Sequence, residues 1–362
     1  MSGAARALIA AAGTGGHVLP GLAVARALRA RGWEDAWIGT TGGREREWVA
    51  AEGIEFEAVR FSGVRGKGLL RLATGPARTL YALWQCWRLL RRRAPRVLFT
   101  TGGYVAVPAG LAAALYGARL AFLNADAAPQ LSLRILRPWI DVVLCGFEGA
   151  AARLAGPRAR LTGTPVREEI CALAPPAQRL AGAQGPLRLL VLGGSLGARV
   201  LNETVPVALS LLEPGARPRV VHQCGAGHEE AARAAYTRAG VEAEVQAFLP
   251  DMAARYAQAD LVLCRAGAVT VSELCAAGVA SILVPLVAST TDHQLANARL
   301  LESRQAALLA GPGPLEPAAL AALLRDLTRD QLLRMAVAAR ALARPGATGE
   351  IVREITHLGE GG

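Results

Sequence analysis

The sequence predicts an α/β protein made of two Rossmann-like, doubly wound domains. Three observations carry that prediction. An apolar run, a glycine turn and a helical stretch occur in that order twice, about 180 residues apart. The first set is 6–12, Gly13-Thr14-Gly15-Gly16 and 17–29; the second is 187–192, Gly193-Gly194-Ser195-Leu196-Gly197 and 198–212. Apolar runs at 35–38, 96–100, 119–123, 142–145, 219–223, 261–264 and 281–284 alternate with stretches of helical spacing, the signature of parallel sheets covered by helices on both faces. Residues 163–185 carry Pro165, Pro175 and Pro176, with Pro186 just beyond, and read as the seam between the halves. The expected domains are 1–163 and 164–344, with a final helix at about 345–358, after Pro345-Gly346, crossing back to the first domain. Ligands of such sheets bind at the carboxyl ends of the strands, here in a cleft between the domains.

Composition narrows the class further. The chain has 362 residues, 52% of them hydrophobic and 19% charged, which is too long for one ordinary core and too apolar for disorder. Its six cysteines (Cys86, Cys145, Cys171, Cys224, Cys264, Cys275) are scattered without a C-x-x-C pair, so neither a disulfide scaffold nor a zinc cluster is expected. Mean hydropathy is +0.29. The charge-free window 97–118 is long enough to span a membrane, but Gly102, Gly103, Pro108 and Gly110 divide it into strand, turn and helix. The first apolar stretch runs straight into a glycine turn and reads as a buried strand rather than a signal peptide.

The net charge of +11 is unevenly spread: residues 1–165 hold 22 basic and 10 acidic residues, and 166–362 hold 18 and 19. Between Ala58 and Ala125 there is no carboxylate, against Lys67 and ten arginines. A one-sided positive field points to an anionic partner: nucleic acid, an acidic membrane surface or a phosphorylated substrate. Within it, Pro76 opens a helix and Pro95 closes it. Leu80, Leu83, Trp84 and Trp87 follow helical spacing, ringed by Arg71, Arg78, Arg88, Arg91, Arg92 and Arg93. An apolar ridge with a basic collar suits a helix lying on an anionic bilayer, although Trp84 and Trp87 could equally pack on the sheet. No nucleic-acid motif accompanies the patch, and none is expected to bind.

Gly13-Thr14-Gly15-Gly16-His17 lets backbone N–H groups approach a phosphate at a helix N-terminus, but the third glycine of a dinucleotide fingerprint is missing. His17 is either a structural histidine of the first turn or a general base. Gly193-Gly194-Ser195-Leu196-Gly197 is a second phosphate candidate or a tight turn. Thr100-Thr101-Gly102-Gly103-Tyr104 is a third glycine turn, with Tyr104 in the core or lining the site. Glu273, two turns into a unit that follows a strand, can accept both hydroxyls of a ribose. Gln294 and Asn297 share a helix face, and amides of that kind suit sugar hydroxyls. No D-x-D pair is present for a nucleotide-bound metal.

Taken together, these blocks resemble one family over nearly the whole chain. They are Gly13–His17 with Pro20, Gly63-Val64-Arg65-Gly66-Lys67-Gly68, Gly102-Gly103-Tyr104 with Pro108, Pro165-Val166-Arg167, Gly193–Ala198, Phe248-Leu249-Pro250-Asp251-Met252, Arg265-Ala266-Gly267 with Thr270 and Glu273, and Asp292-His293-Gln294 with Asn297. In that order and spacing they resemble the peptidoglycan N-acetylglucosaminyltransferases of glycosyltransferase family 28 type. The resemblance implies the GT-B fold and inverting transfer of N-acetylglucosamine from UDP-N-acetylglucosamine to the muramyl 4-hydroxyl of lipid I, giving lipid II, with no cofactor. It implies uracil near Phe248 and Leu249, ribose on Glu273, diphosphate by Ser195 and Arg167, and sugar hydroxyls on Gln294 and Asn297. The acceptor pyrophosphate is implied at Thr14, Gly15, Gly16, His17, Gly103 and Tyr104. The ridge of Leu80, Leu83, Trp84, Trp87, Arg88 and Arg91 would lie on the anionic cytoplasmic face of the bacterial membrane, making the protein peripheral there and a candidate member of a cell-wall synthesis complex.

This chain also departs from the family. Where the family has His-Glu-Gln-Asn, the row reads Leu123-Asn124-Ala125-Asp126, so Asn124 takes the acceptor-side position and Asp126 becomes the alternative to His17 as base. Thr164 stands for an asparagine, Leu196 for a glutamine and Ala266 for a serine. The competing expectations are another UDP-sugar-dependent GT-B enzyme with a different lipid acceptor and a non-catalytic UDP-sugar binder.

Overall fold

A computed structural model describes residues 5–61, 68–194, 197–286, 293–310 and 315–360. The Gly63–Lys67 block, Ser195, Leu196 and Asp292 lie outside the described residues. The chain divides into two units, one formed by residues up to Pro165 together with those from Gly346 onward, the other by Val166–Pro345.

In the first unit, among the described residues, seven strands form one parallel sheet: β1 (Arg6–Ala10), β2 (Glu34–Thr40), β3 (Glu55–Val59), β4 (Val97–Thr100), β5 (Arg119–Asn124), β6 (Val142–Cys145) and β7 (Ala159–Leu161). Their order is β3-β2-β1-β4-β5-β6-β7. The helices between them are α1 (Gly15–Arg29), α2 (Glu45–Ala51), α3 (Gly68–Arg93), α4 (Ala106–Tyr116), α5 (Leu131–Leu136) and α6 (Ala150–Ala155). The central strands read as unbroken apolar runs because both sheet faces are covered. On one face Leu8, Ala10, Leu98, Leu120 and Phe122 pack with Ala82, Cys86 and Leu90 of α3. On the other, Ile9, Phe99, Ala121 and Leu123 pack with Val18, Leu22 and Leu28 of α1. At Gly21 a Cβ would sit 2.6 Å from the Trp37 ring, so glycine is what allows α1 to lie so close to β2. The indole of Trp37 donates to the Ala11 carbonyl at 2.8 Å, satisfying its one polar atom.

The second unit repeats the plan. Its sheet is β8 (Arg188–Leu192), β9 (Arg219–Gln223), β10 (Glu244–Gln246), β11 (Leu261–Cys264), β12 (Ala280–Leu283) and β13 (Leu308–Leu309), all parallel, in the order β10-β9-β8-β11-β12-β13. Its helices are α7 (Glu168–Cys171), α8 (Pro176–Arg179), α9 (Arg199–Ser210), α10 (Glu229–Ala239), α11 (Met252–Gln258), α12 (Ala268–Ala277), α13 (His293–Ser303), α14 (Pro317–Asp326) and α15 (Arg329–Ala341). After Pro345 the chain rejoins the first unit as α16 (Ala347–Glu360). There Ile351, Val352 and Ile355 are fully buried against the β1 face. Each contributes about 1.5–3 kcal/mol of hydrophobic stabilisation. Arg96 fixes the far end by donating to the Gly359 carbonyl at 3.2 Å, and Gly359 lies under Trp33 with no space for a Cβ.

The second unit also carries a pH liability. His222 on β9 is fully buried; its Nδ1 meets the Tyr236 hydroxyl at 2.9 Å and its Nε2 has no partner. Burial pushes its pKa down from 6.5 to about 4. Below 6.5 the unfolded chain takes a proton that the folded chain refuses, so stability present above that pH is lost as pH falls toward 4. We expect urea unfolding free energy to drop by about 2 kcal/mol between pH 7 and pH 5, and expect His222→Asn to flatten that dependence.

Candidate active site

In each sheet the strand order reverses beside the first strand: between β1 and β4 in one, between β8 and β11 in the other. Loops that leave a parallel sheet at such a point diverge and open a crevice for ligands. The glycine turns stand there.

In the first unit the loops after β1 and β4 are tied together. The His17 imidazole Nδ1 lies 2.9 Å from the Thr101 carbonyl, and the Thr101 hydroxyl donates to the His17 carbonyl at 2.9 Å. A carbonyl can only accept, so Nδ1 carries the proton. In the neutral ring Nε2 therefore holds a lone pair, as a general base requires. Gly102 and Gly103 both have positive φ, +94° and +79°. A Cβ on Gly103 would come within 3.2 Å of the Ala12 carbonyl and 3.5 Å of the His17 ring, so glycine lets the two loops meet. Thr14 is the exposed, extended N-cap of α1, and its side chain makes no capping hydrogen bond. The first turn thus begins with the glycines Gly15 and Gly16, whose amides and helix dipole favour an anion.

Tyr104 is half-buried. Its ring packs on the sheet-face core and beside Phe61 at 6.3 Å between centroids. Its hydroxyl reaches Thr40 Oγ1 at 3.4 Å. Thr40 donates from both its amide and its hydroxyl to Glu45 Oε1, at 2.9 and 2.8 Å. Glu45 is fully buried, with Oε2 unpartnered. It stands between Arg44 and Arg46, and nothing in the spacing there marks a buried carboxylate.

Asn124 differs from expectation. It is fully buried, its Oδ1 accepts from the Gln130 amide at 3.0 Å, and its Nδ2 donates to the carbonyls of Asp126 and Ala128 at 2.6 and 3.1 Å. The side chain is consumed in shaping the loop after β5 rather than facing an acceptor. Asp126, on that loop, is half-buried and within 3.5 Å of Gln130 Nε2.

In the second unit the loop after β8 needs its glycines. A Cβ on Gly193 would lie 2.9 Å from both Ala198 N and Gln223 O, and one on Gly197 would lie 2.5 Å from Cys224 O. Asn202 in α9 pins this loop to the next by donating to the Cys224 carbonyl at 3.1 Å, while its buried Oδ1 has no partner. In the sequence Asn202 shows only as a polar residue next to the apolar face of α9. Arg265, at the carboxyl end of β11, is partly buried and donates to the Val284 carbonyl at 3.3 Å. It forms no ion pair among the described residues, and burial pulls its pKa down. A cation left without a carboxylate beside a glycine turn suits a diphosphate.

Glu273 lies on α12, which is buried on every side of its second turn. Arg167 donates to its Oε1 at 2.9 Å and the Tyr256 hydroxyl to its Oε2 at 3.1 Å. Burial raises its pKa, with Arg167 pulling the other way. Asn297 is fully buried and ties α13 to the loop before α12 through the Ala266 carbonyl at 3.0 Å. Gln294 Oε1 accepts from the Leu286 amide at 2.8 Å, and its Nε2 remains as a donor. Of the expected uracil pair, Phe248 is 63% exposed and Leu249 fully buried, so Phe248 has the side chain open to a base.

The basic ridge on α3 divides in two. Leu83 and Trp87 pack against the core, whereas Leu80, Tyr81 and Trp84 are exposed. The Arg88 guanidinium stands 4.9 Å over Trp84, and that of Arg91 4.9 Å over Trp87. Among the described residues no helix is long and apolar enough to cross a membrane, and no three His, Cys, Asp or Glu side chains gather as metal ligands.

Two all-parallel Rossmann-like units of this construction form the GT-B fold of nucleotide-sugar glycosyltransferases. The chain belongs to glycosyltransferase family 28: the family's N-terminal domain matches residues 7–145 and its C-terminal domain residues 188–348. It is 52% identical to the UDP-N-acetylglucosamine--N-acetylmuramyl-(pentapeptide) pyrophosphoryl-undecaprenol N-acetylglucosamine transferase of Methylibium petroleiphilum, over 97% of each chain. It is 49% identical to the protein of the same name from a Janthinobacterium species, over 98% of each. A crystal structure of Acinetobacter baumannii MurG superposes with a TM-score of 0.82 at 35% identity, covering 97% of this chain and 99% of that one.

Proposed function

We propose that this protein transfers N-acetylglucosamine from UDP-N-acetylglucosamine to the muramyl 4-hydroxyl of undecaprenyl-pyrophosphoryl-N-acetylmuramyl-pentapeptide, forming lipid II. The end-to-end match to relatives named for that transfer carries the reading. The half-sites supply its chemistry. The second unit takes the donor: Phe248 against uracil, Glu273 on the ribose, Arg167, Arg265 and the glycine turn on the diphosphate, and Gln294 toward the sugar, with the buried Asn297 bracing α13 against the loop before α12 rather than reaching the sugar itself. The first unit takes the acceptor, with its pyrophosphate at the α1 N-terminus beside Thr14 and Tyr104.

His17 Nε2 accepts the proton of the attacking 4-hydroxyl. The new bond forms at C1 of the donor sugar as the C1–phosphate oxygen bond breaks on the opposite face, inverting the configuration. Charge appearing on the leaving UDP is met by fixed amides and arginine, which need no reorganisation as it develops. The exposed Leu80, Tyr81 and Trp84, with the arginines around them, rest on an anionic bilayer, making the enzyme peripheral at the cytoplasmic face.

The test is UDP release from UDP-N-acetylglucosamine. It is expected with a soluble lipid I analogue and absent with diacylglycerol, and faster for lipid I in anionic than in zwitterionic vesicles. Release with diacylglycerol alone would assign a different acceptor. Donor binding without release under any acceptor would reduce the protein to a sugar-nucleotide binder.

A further inference from the structure

We infer that Tyr256 is a positioning residue for the donor: its phenol holds the Glu273 carboxylate in the orientation that grips the ribose. The inference rests on the ribose reading of Glu273 and goes one step beyond it.

Tyr256 on α11 is fully buried, and Glu273 is 9% exposed. The phenol donates to Oε2 at 3.1 Å while Arg167 donates to Oε1 at 2.9 Å. Each carboxylate oxygen has two lone-pair directions. One on each is thus occupied from within the protein, and one on each remains. Two acceptor directions on neighbouring oxygens are what a vicinal diol needs. A ring required only for packing would not need this hydroxyl, and among the described residues its one side-chain hydrogen bond goes to Glu273.

The two donors differ in permanence. The Arg167 side chain is 40% exposed, on the stretch that opens this unit, and the same guanidinium is drawn to the donor's diphosphate. Tyr256 has no such second duty and no freedom to leave. When Arg167 turns toward phosphate, the phenol is what keeps Glu273 aligned.

The experiment compares dissociation constants of UDP and 2′-deoxy-UDP in the full-length protein. Wild type should prefer UDP. Tyr256→Phe should weaken UDP on the order of tenfold, the worth of one hydrogen bond to a charged group, and should shrink the preference for the 2′-hydroxyl. Donor KM should rise to match while kcat at saturating donor stays within about twofold, a split that general loosening would not produce. Site-specific 3-fluorotyrosine at position 256 keeps the shape and strengthens the donor; it should widen the preference, and it carries the test if the Phe variant does not fold. An unchanged preference in the folded variants overturns the role of Tyr256. Glu273→Ala, measured alongside, separates the two ideas. If it too leaves the 2′-hydroxyl preference intact, the ribose reading itself falls; if it abolishes the preference and the Tyr256 variants do not alter it, only the positioning role falls.

Discussion

His17→Ala is expected to lower kcat by about 10²–10⁴-fold while donor KM changes little. The size follows from the tautomer. With Nδ1–H committed to the Thr101 carbonyl, the imidazole offers a fixed acceptor at Nε2, and no water in its place has comparable basicity and aim. His17→Gln should lose as much, because an amide of similar shape cannot take the proton. Asp126 is the competitor, half-buried on the neighbouring loop. If Asp126→Asn cost two orders of magnitude and His17→Ala only a few-fold, the base would be the Asp126 carboxylate.

The fold was legible where burial is complete. The central strands of both sheets read as apolar runs because helices cover both faces, and each run found by pattern is a strand. The strands that pattern missed are β3, β7, β10 and β13, and these are the four sheet edges. Three of them carry charges, Glu55 and Glu57 on β3, Arg160 on β7 and Glu244 on β10, as edges facing water allow, and β13 is only the pair Leu308–Leu309, too short to show a pattern. The site was legible in part for the same kind of reason. Glycines at strand ends declare close backbone approach, so the turns stood out. Side chains that brace their neighbours leave no such mark: nothing in the sequence around Tyr256, Asn202 or Glu45 sets them apart. Asn124 shows the converse, since a polar residue at a strand end reads as a ligand contact until the hydrogen bonds reveal a loop brace. On α3, helical spacing marked one ridge, but only packing could show that Trp87 turns inward and Trp84 outward.

Glu273→Gln is expected to raise donor KM by roughly 10²-fold, equivalent to about 3 kcal/mol, with kcat reduced much less. Shape is preserved, so the effect isolates charge and acceptor count. An amide offers one accepting oxygen where the carboxylate offers two, and its N–H₂ must face either Arg167, donor against donor, or the Tyr256 hydroxyl, which must then turn from donating to accepting. The ribose loses one of its acceptors and the buried phenol loses a partner or gains a competitor. The pH dependence has a definite sign. Burial holds the Glu273 pKa above its usual 4.5, so protonation sets in earlier on acidification than for an exposed glutamate. Wild-type donor KM should therefore climb as pH falls through that range, and the Gln variant, already neutral, should lack this component. Steady-state kinetics with UDP-N-acetylglucosamine varied at saturating acceptor, from pH 8 down to the limit set by folding, would measure both. A Gln variant with wild-type donor KM at neutral pH would remove Glu273 from the nucleotide site, and with it the reason for placing the ribose on α12.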